Sequence, residues 1–130
     1  MKHVLFAFAL LISVASFAQS KNSKTLLGYD KIHPYKKGMA KVEKEGKQGY
    51  INETGEEFVP CKYDNIFPWE KGRAKVEIKG KFGFINEAGE EYIPVKYDFI
   101  GPFKNGLALV SNNNRRGLIN EAGEEVVPLD

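Results

Sequence analysis

The chain has 130 residues, with 19 lysines and arginines against 17 aspartates and glutamates, a formal charge of +2. So near a balance gives no electrostatic ground for a nucleic-acid or anionic-membrane partner, and one cysteine excludes an intramolecular disulfide. That cysteine and two histidines also leave little material for a zinc site or a Cys-His nucleophile.

Lys2 and His3 precede an apolar stretch from Val4 to Val14, and Ser16-Phe17-Ala18-Gln19 then puts small residues at the minus-three and minus-one positions of a cut after Ala18. The pattern predicts a secretory signal peptide over 1–18. A spanning helix needs ~20 apolar residues, so this stretch is too short for one. The mature chain is expected to keep no stable membrane span and to be exported, to the periplasm or outside a bacterial cell. Losing Lys2 would leave 18 basic residues against 17 acidic ones, a charge of +1. Residues 19–28 are a polar lead-in apart from Leu26 and Leu27.

From Tyr29 onward a 34-residue unit recurs without a gap: 29–62, 63–96 and 97–130. Fifteen columns hold the same residue in all three copies. A period of this size marks an array in which each unit covers its neighbour's apolar face. Each copy opens on Tyr-Asp and passes through an isoleucine, a proline, an aromatic and a glycine, which predicts a crossover loop with at most a two-residue bridge. Ala40-Lys41-Val42-Glu43 and Ala74-Lys75-Val76-Glu77 then alternate apolar and charged residues, the period of a half-buried strand. A tight turn follows at Glu45-Gly46 and Lys79-Gly80, with Asn114 in the glycine column of the third copy. Glycine and asparagine tolerate positive φ at least cost, so a left-handed turn residue is expected there.

The second strand is Gly49-Tyr50-Ile51-Asn52 and its equivalents, and Asn52 to Gly55 has asparagine first and glycine fourth, as a type I turn prefers. A third strand, Glu57-Phe58-Val59, Glu91-Tyr92-Ile93 or Glu125-Val126-Val127, is expected to stop at Pro60, Pro94 or Pro128, where a ladder donor is missing. No stretch free of glycine, proline and turn chemistry is long enough for an amphipathic helix. The expected fold is therefore all-β: a tandem array of three antiparallel meanders of about three strands each, stacked openly. A propeller-like closure is the alternative, although propellers use four to eight blades of four strands. Ala74, Val76, Phe84, Ile85, Tyr92 and Ile93 of the middle copy should be more buried than their outer equivalents.

The residues Tyr63-Asp64, Ile66, Pro68-Trp69, Gly72, Ala74, Val76, Gly80-Lys81-Phe82-Gly83-Phe84-Ile85-Asn86, Gly89 and Pro94 resemble the WG-repeat family of bacterial β-repeat proteins, and the likeness covers the whole array. The tryptophan that names the family is replaced by Gln48, Phe82 and Arg116. The resemblance implies an exported or surface repeat protein and assigns it no reaction.

Few residues point to chemistry. Cys61 shares its column with Val95 and Leu129, which predicts a small buried hydrophobe. The acidic turns, Glu53, Glu56 and Glu57 with their repeats, are the best candidates for an ion, but they lack the oxygen-ligand spacing of known loops and fit solvated edges equally well. Asp30, Asp64 and Asp98 each follow a tyrosine and predict an Asx-type turn with the residues ahead of them. No second titrating group pairs with them, so neither catalytic residues, metal nor cofactor is expected. Tyr35, Trp69 and Phe103 share one column. A row of exposed rings there, flanked by lysines, is the candidate binding surface, and inter-repeat packing is the competing reading. The expected function is non-enzymatic: protein or glycan binding, or scaffolding, in the cell envelope. A structural self-associating protein is the alternative, and a carboxylate hydrolase the weakest.

Overall fold

The computed structural model describes residues 28–130; the signal-peptide expectation and most of the polar lead-in lie outside them. Among the described residues there is no helix. Twelve strands form three separate four-stranded antiparallel sheets, each in simple meander order. The first holds β1 (Lys31–Ile32), β2 (Met39–Lys44), β3 (Lys47–Asn52) and β4 (Glu57–Tyr63). The second holds β5 (Asn65–Ile66), β6 (Arg73–Ile78), β7 (Lys81–Asn86) and β8 (Glu91–Tyr97). The third holds β9 (Phe99–Ile100), β10 (Leu107–Asn112), β11 (Arg115–Asn120) and β12 (Glu125–Val127). Each repeat thus contributes four strands rather than about three, the extra one being the two-residue bridge. The described residues fall into two compact units, 28–63 and 64–130.

The alternating Ala-Lys-Val-Glu pattern becomes β2 and β6, with Ala40, Val42, Ala74 and Val76 inside. Between β2 and β3 both turn residues are left-handed, Glu45 at φ 53 and Gly46 at φ 80, and Asn113 and Asn114 repeat this at 53 and 68. Two positive-φ residues in a two-residue loop make a type I′ turn, whose twist matches the flanking strands. The leader carries a second tight turn, since Lys36 and Met39 exchange backbone hydrogen bonds of 2.7 and 3.0 Å.

The aspartates do something other than expected. Asp30 Oδ2 accepts the Glu45 N–H at 2.8 Å, and Asp64 and Asp98 accept those of Lys79 and Asn113 at 2.7 and 2.8 Å. Each ties the start of a repeat to the β-turn fifteen residues ahead, which a local Asx reading misses. Asn52, Asn86 and Asn120 make the expected local turns, with Gly55, Gly89 and Gly123 each donating to the asparagine carbonyl at 2.9 Å.

Pro60 and Pro94 do not end their strands; β4 and β8 run through them to Tyr63 and Tyr97. Register shifts opposite Gly49 and Gly83 absorb the missing donor as bulges. Only in the third copy does the strand stop at the proline, β12 ending at Val127.

In the second unit, sheets two and three share a core of Phe84, Ile93, Tyr97, Ile100, Ala108, Val110 and Ile119. The Gly123 turn lies against Ile93, whose Cγ1 stands 2.8 Å from where a Cβ at 123 would be. In the first unit Ala40, Val42 and Ile51 form the equivalent cluster, with Tyr29, Ile32, Tyr35 and Cys61 half-buried around it. The expected excess burial of the middle repeat is found only against the third, and there only at Phe84, Tyr92 and Ile93, since Ala108, Val110 and Ile119 are buried as fully as Ala74, Val76 and Ile85. Val59 and Ile93 are both fully buried, whereas Val127 in the same column is 46% exposed and Val126 48%.

Tyr97 is fully buried, and its hydroxyl donates to Glu125 Oε2 at 2.9 Å. Burial first, then the hydrogen bond and charge of Glu125, push its ionisation up to about 12. An unfolded tyrosine ionises near ~10, so the folded state holds this proton more tightly. The contribution is complete below about pH 10 and is lost as pH rises from there to about 12. Denaturant midpoints across that range should therefore fall less steeply in Tyr97→Phe than in the native protein. Equal slopes would mean that Tyr97 does not carry the loss.

Candidate functional site: an aromatic and cationic groove

Strand alternation aims Arg73 and Lys75 of β6 away from the side that buries Ala74 and Val76, toward the leader of the third repeat. Phe82 and Phe84 of β7 stand beside them, opposite Glu77 and Lys75 in register. The far wall is Phe99, Ile100, Gly101, Pro102 and Phe103, and Phe67 and Pro68 close one end. Gly101 donates to the Leu109 carbonyl at 2.8 Å. With no side chain at 101, the Phe99 ring lies close over the backbone, 3.3 Å from where a Cβ would be. The result is a groove of about 690 Å³ contained within the second unit.

Its cations are held against its rings. The Arg73 guanidinium sits 4.1 Å from the Phe103 centroid and 5.6 Å from that of Phe84, and these rings meet edge to face at 5.9 Å. Such contacts favour the cation through the ring quadrupole and fix its plane. Lys75 Nζ donates to the Ile100 carbonyl at 2.9 Å and lies 5.7 Å from the Phe82 centroid; burial lowers its pKa. Phe67 packs 6.3 Å from Phe82, yet Phe67 and Phe99 remain 37% and 48% exposed. Lys71 and Glu70 complete the rim. Arginine, two lysines and open rings against one carboxylate suit a ligand with negative charge and flat apolar surface.

Of the three residues expected to form a binding row, only Phe103 lines this groove. Trp69 is half-buried and is not one of its walls. Tyr35 packs on the first unit's core and its hydroxyl donates to the Asn52 carbonyl at 3.1 Å; burial, then Glu53, raises its pKa. Column identity alone missed Phe67, Phe82 and Phe99. Phe82, standing where the family's tryptophan belongs, was the available signal.

The other candidates have structural partners. The carboxamides of Asn52, Asn86 and Asn120 donate to Glu56, Glu90 and Glu124 at 3.2, 3.0 and 2.8 Å. Glu57 accepts the Tyr29 hydroxyl at 2.6 Å and Glu125 that of Tyr97. Asp98 also receives Lys81 Nζ, which with the Asn113 N–H holds its carboxyl below the usual range. Among the described residues no group of three His, Cys, Asp or Glu side chains converges for an ion. Cys61 is free and half-buried rather than buried, and desolvation pushes its thiol up to about 11.

Three meanders of one period, with a groove built from two of them, define a β-repeat protein. The family model described as WG containing repeat matches residues 27–47, 49–82 and 82–115, and the chain belongs to that family. No curated protein matches the chain.

Proposed function

We propose that this protein is a non-enzymatic recognition module that holds an acidic protein or glycan partner in the groove of its second unit. The observation that carries the reading is the placing of Arg73 and Lys75 against rings while Phe67 and Phe99 stay open. Cations fixed in this way lose little entropy on binding, and exposed rings offer stacking surface. The engagement of the carboxylates of Asp30, Asp64 and Asp98 and of Glu56, Glu90 and Glu124 in turn hydrogen bonds supports recognition over hydrolysis, since a general acid must be free to reach a substrate.

Capture from an envelope fraction tests it. Phe67→Ser combined with Phe99→Ser leaves the core intact and should reduce capture at least tenfold, as loss of aromatic anchors at about 2 kcal/mol would. Undiminished capture would place recognition elsewhere. The reading includes export, supported by the sequence of residues 1–18. Mass spectrometry of the exported protein should give Gln19 as the first residue, and an intact Met1 would refute cleavage.

A further inference from the structure

We infer that the third repeat binds a second copy of this chain head to tail, through the face equivalent to the one that the second repeat presents to the third. The inference goes beyond ligand recognition and rests on a different surface. In the second sheet Lys75, Phe84 and Ile93 stand opposite one another across β6, β7 and β8. Directly opposite residues share a face, and here the third repeat covers it: Ile100 bonds Lys75, Phe103 packs on Phe84 and the Gly123 turn abuts Ile93. In the third sheet the same register gives Leu109, Leu118 and Val127.

That row stays largely open among the described residues, with Leu118 half-buried at its centre. Leu107 and Leu109, two apart on one face of β10, are 37% and 44% exposed, and Val127 is 46% exposed. Array faces that stay in water are polar. This one has replaced the lysine of the other two repeats, Lys41 and Lys75, with Leu109. The covering elements are a leader with isoleucine, proline and an aromatic and a turn ending in glycine. The chain's own first repeat carries them as Ile32, Pro34, Tyr35 and Gly55, with Ile32, Tyr35 and Gly55 half-buried and Pro34 exposed. A second copy therefore offers the wall that the third repeat lacks, in a heterologous contact that leads to chains or rings.

Light scattering of the full mature chain over a concentration series tests it. Native protein should gain mass with concentration. Leu109→Lys restores the residue that two other repeats already hold at this register, so it should fold, and should weaken association at least tenfold. Tyr35→Asp should do the same from the opposite surface, with Thr54→Glu as substitute if the Tyr35 variant loses its β-sheet circular dichroism. An equimolar mixture of the two variants should recover a dimer, because one retains the leader and the other the open row. A native protein that stays monomeric, association that survives Leu109→Lys, or a Tyr35→Asp variant that still associates alone would each overturn the inference; the last would indicate tail-to-tail pairing. None of these outcomes bears on capture through Phe67 and Phe99.

Discussion

Ile85→Ala should destabilise the second unit by about 3 kcal/mol, in the usual range for removing a buried isoleucine side chain beyond Cβ. Ile85 is fully buried in the centre of β7, opposite Ala74 on one side and Glu91 on the other. Its neighbours belong to regular strands that cannot collapse into the space. The loss therefore combines transfer of the missing atoms with the cavity they leave. Urea unfolding followed by tryptophan fluorescence reports on the right unit, because the chain's one tryptophan, Trp69, lies there. A loss below about 0.5 kcal/mol would show that β7 is not part of the core.

Gly83→Ala should cost roughly 3 kcal/mol through the opposite error, overpacking. A Cβ at 83 would stand 2.3 Å from the Ile93 carbonyl oxygen and 2.8 Å from Pro94 C and Val95 N. All three are backbone atoms, so no side chain can rotate to relieve the clash and β8 has to move off β7. Gly83 is thus the counterpart of Pro94: the bulge that accommodates the proline presses the strand against β7, and only glycine leaves room. Gly80→Asn is the control. Nothing lies within 4 Å of a Cβ there, and Asn114 already occupies the equivalent column at φ 68. Its cost should be far smaller, and equal losses at 80 and 83 would refute the close-approach account.

Features set by neighbours in sequence were legible without coordinates. The period gave three sheets, the column of Gly46, Gly80 and Asn114 gave a left-handed turn residue, and the alternation of Ala74-Lys75-Val76-Glu77 gave the inward and outward faces of β6. What escaped depends on contacts between residues far apart. That β8 continues through Pro94 depends on the opposing glycine eleven residues earlier in β7, and Asp64 finds its donor at Lys79 only after a hairpin has closed. The groove is harder still. Phe67, Arg73, Phe82 and Phe99 occupy four different columns of two repeats, so no alignment of the copies with one another groups them. The aligned row of Tyr35, Trp69 and Phe103 brings only Phe103 into the groove, because equal columns share backbone position, whereas exposure depends on what the next element lays over them. Leu109 was legible as a departure from lysine, but only the register through Leu118 to Val127 gave it meaning.

Hydrogen–deuterium exchange of the protein with and without a partner obtained by the proposed capture tests the groove most directly. Protection on binding should appear at residues 67–75 and 99–103, where Arg73, Lys75 and the open rings lie. Protection confined to other segments, with those two unchanged, would contradict the proposed site.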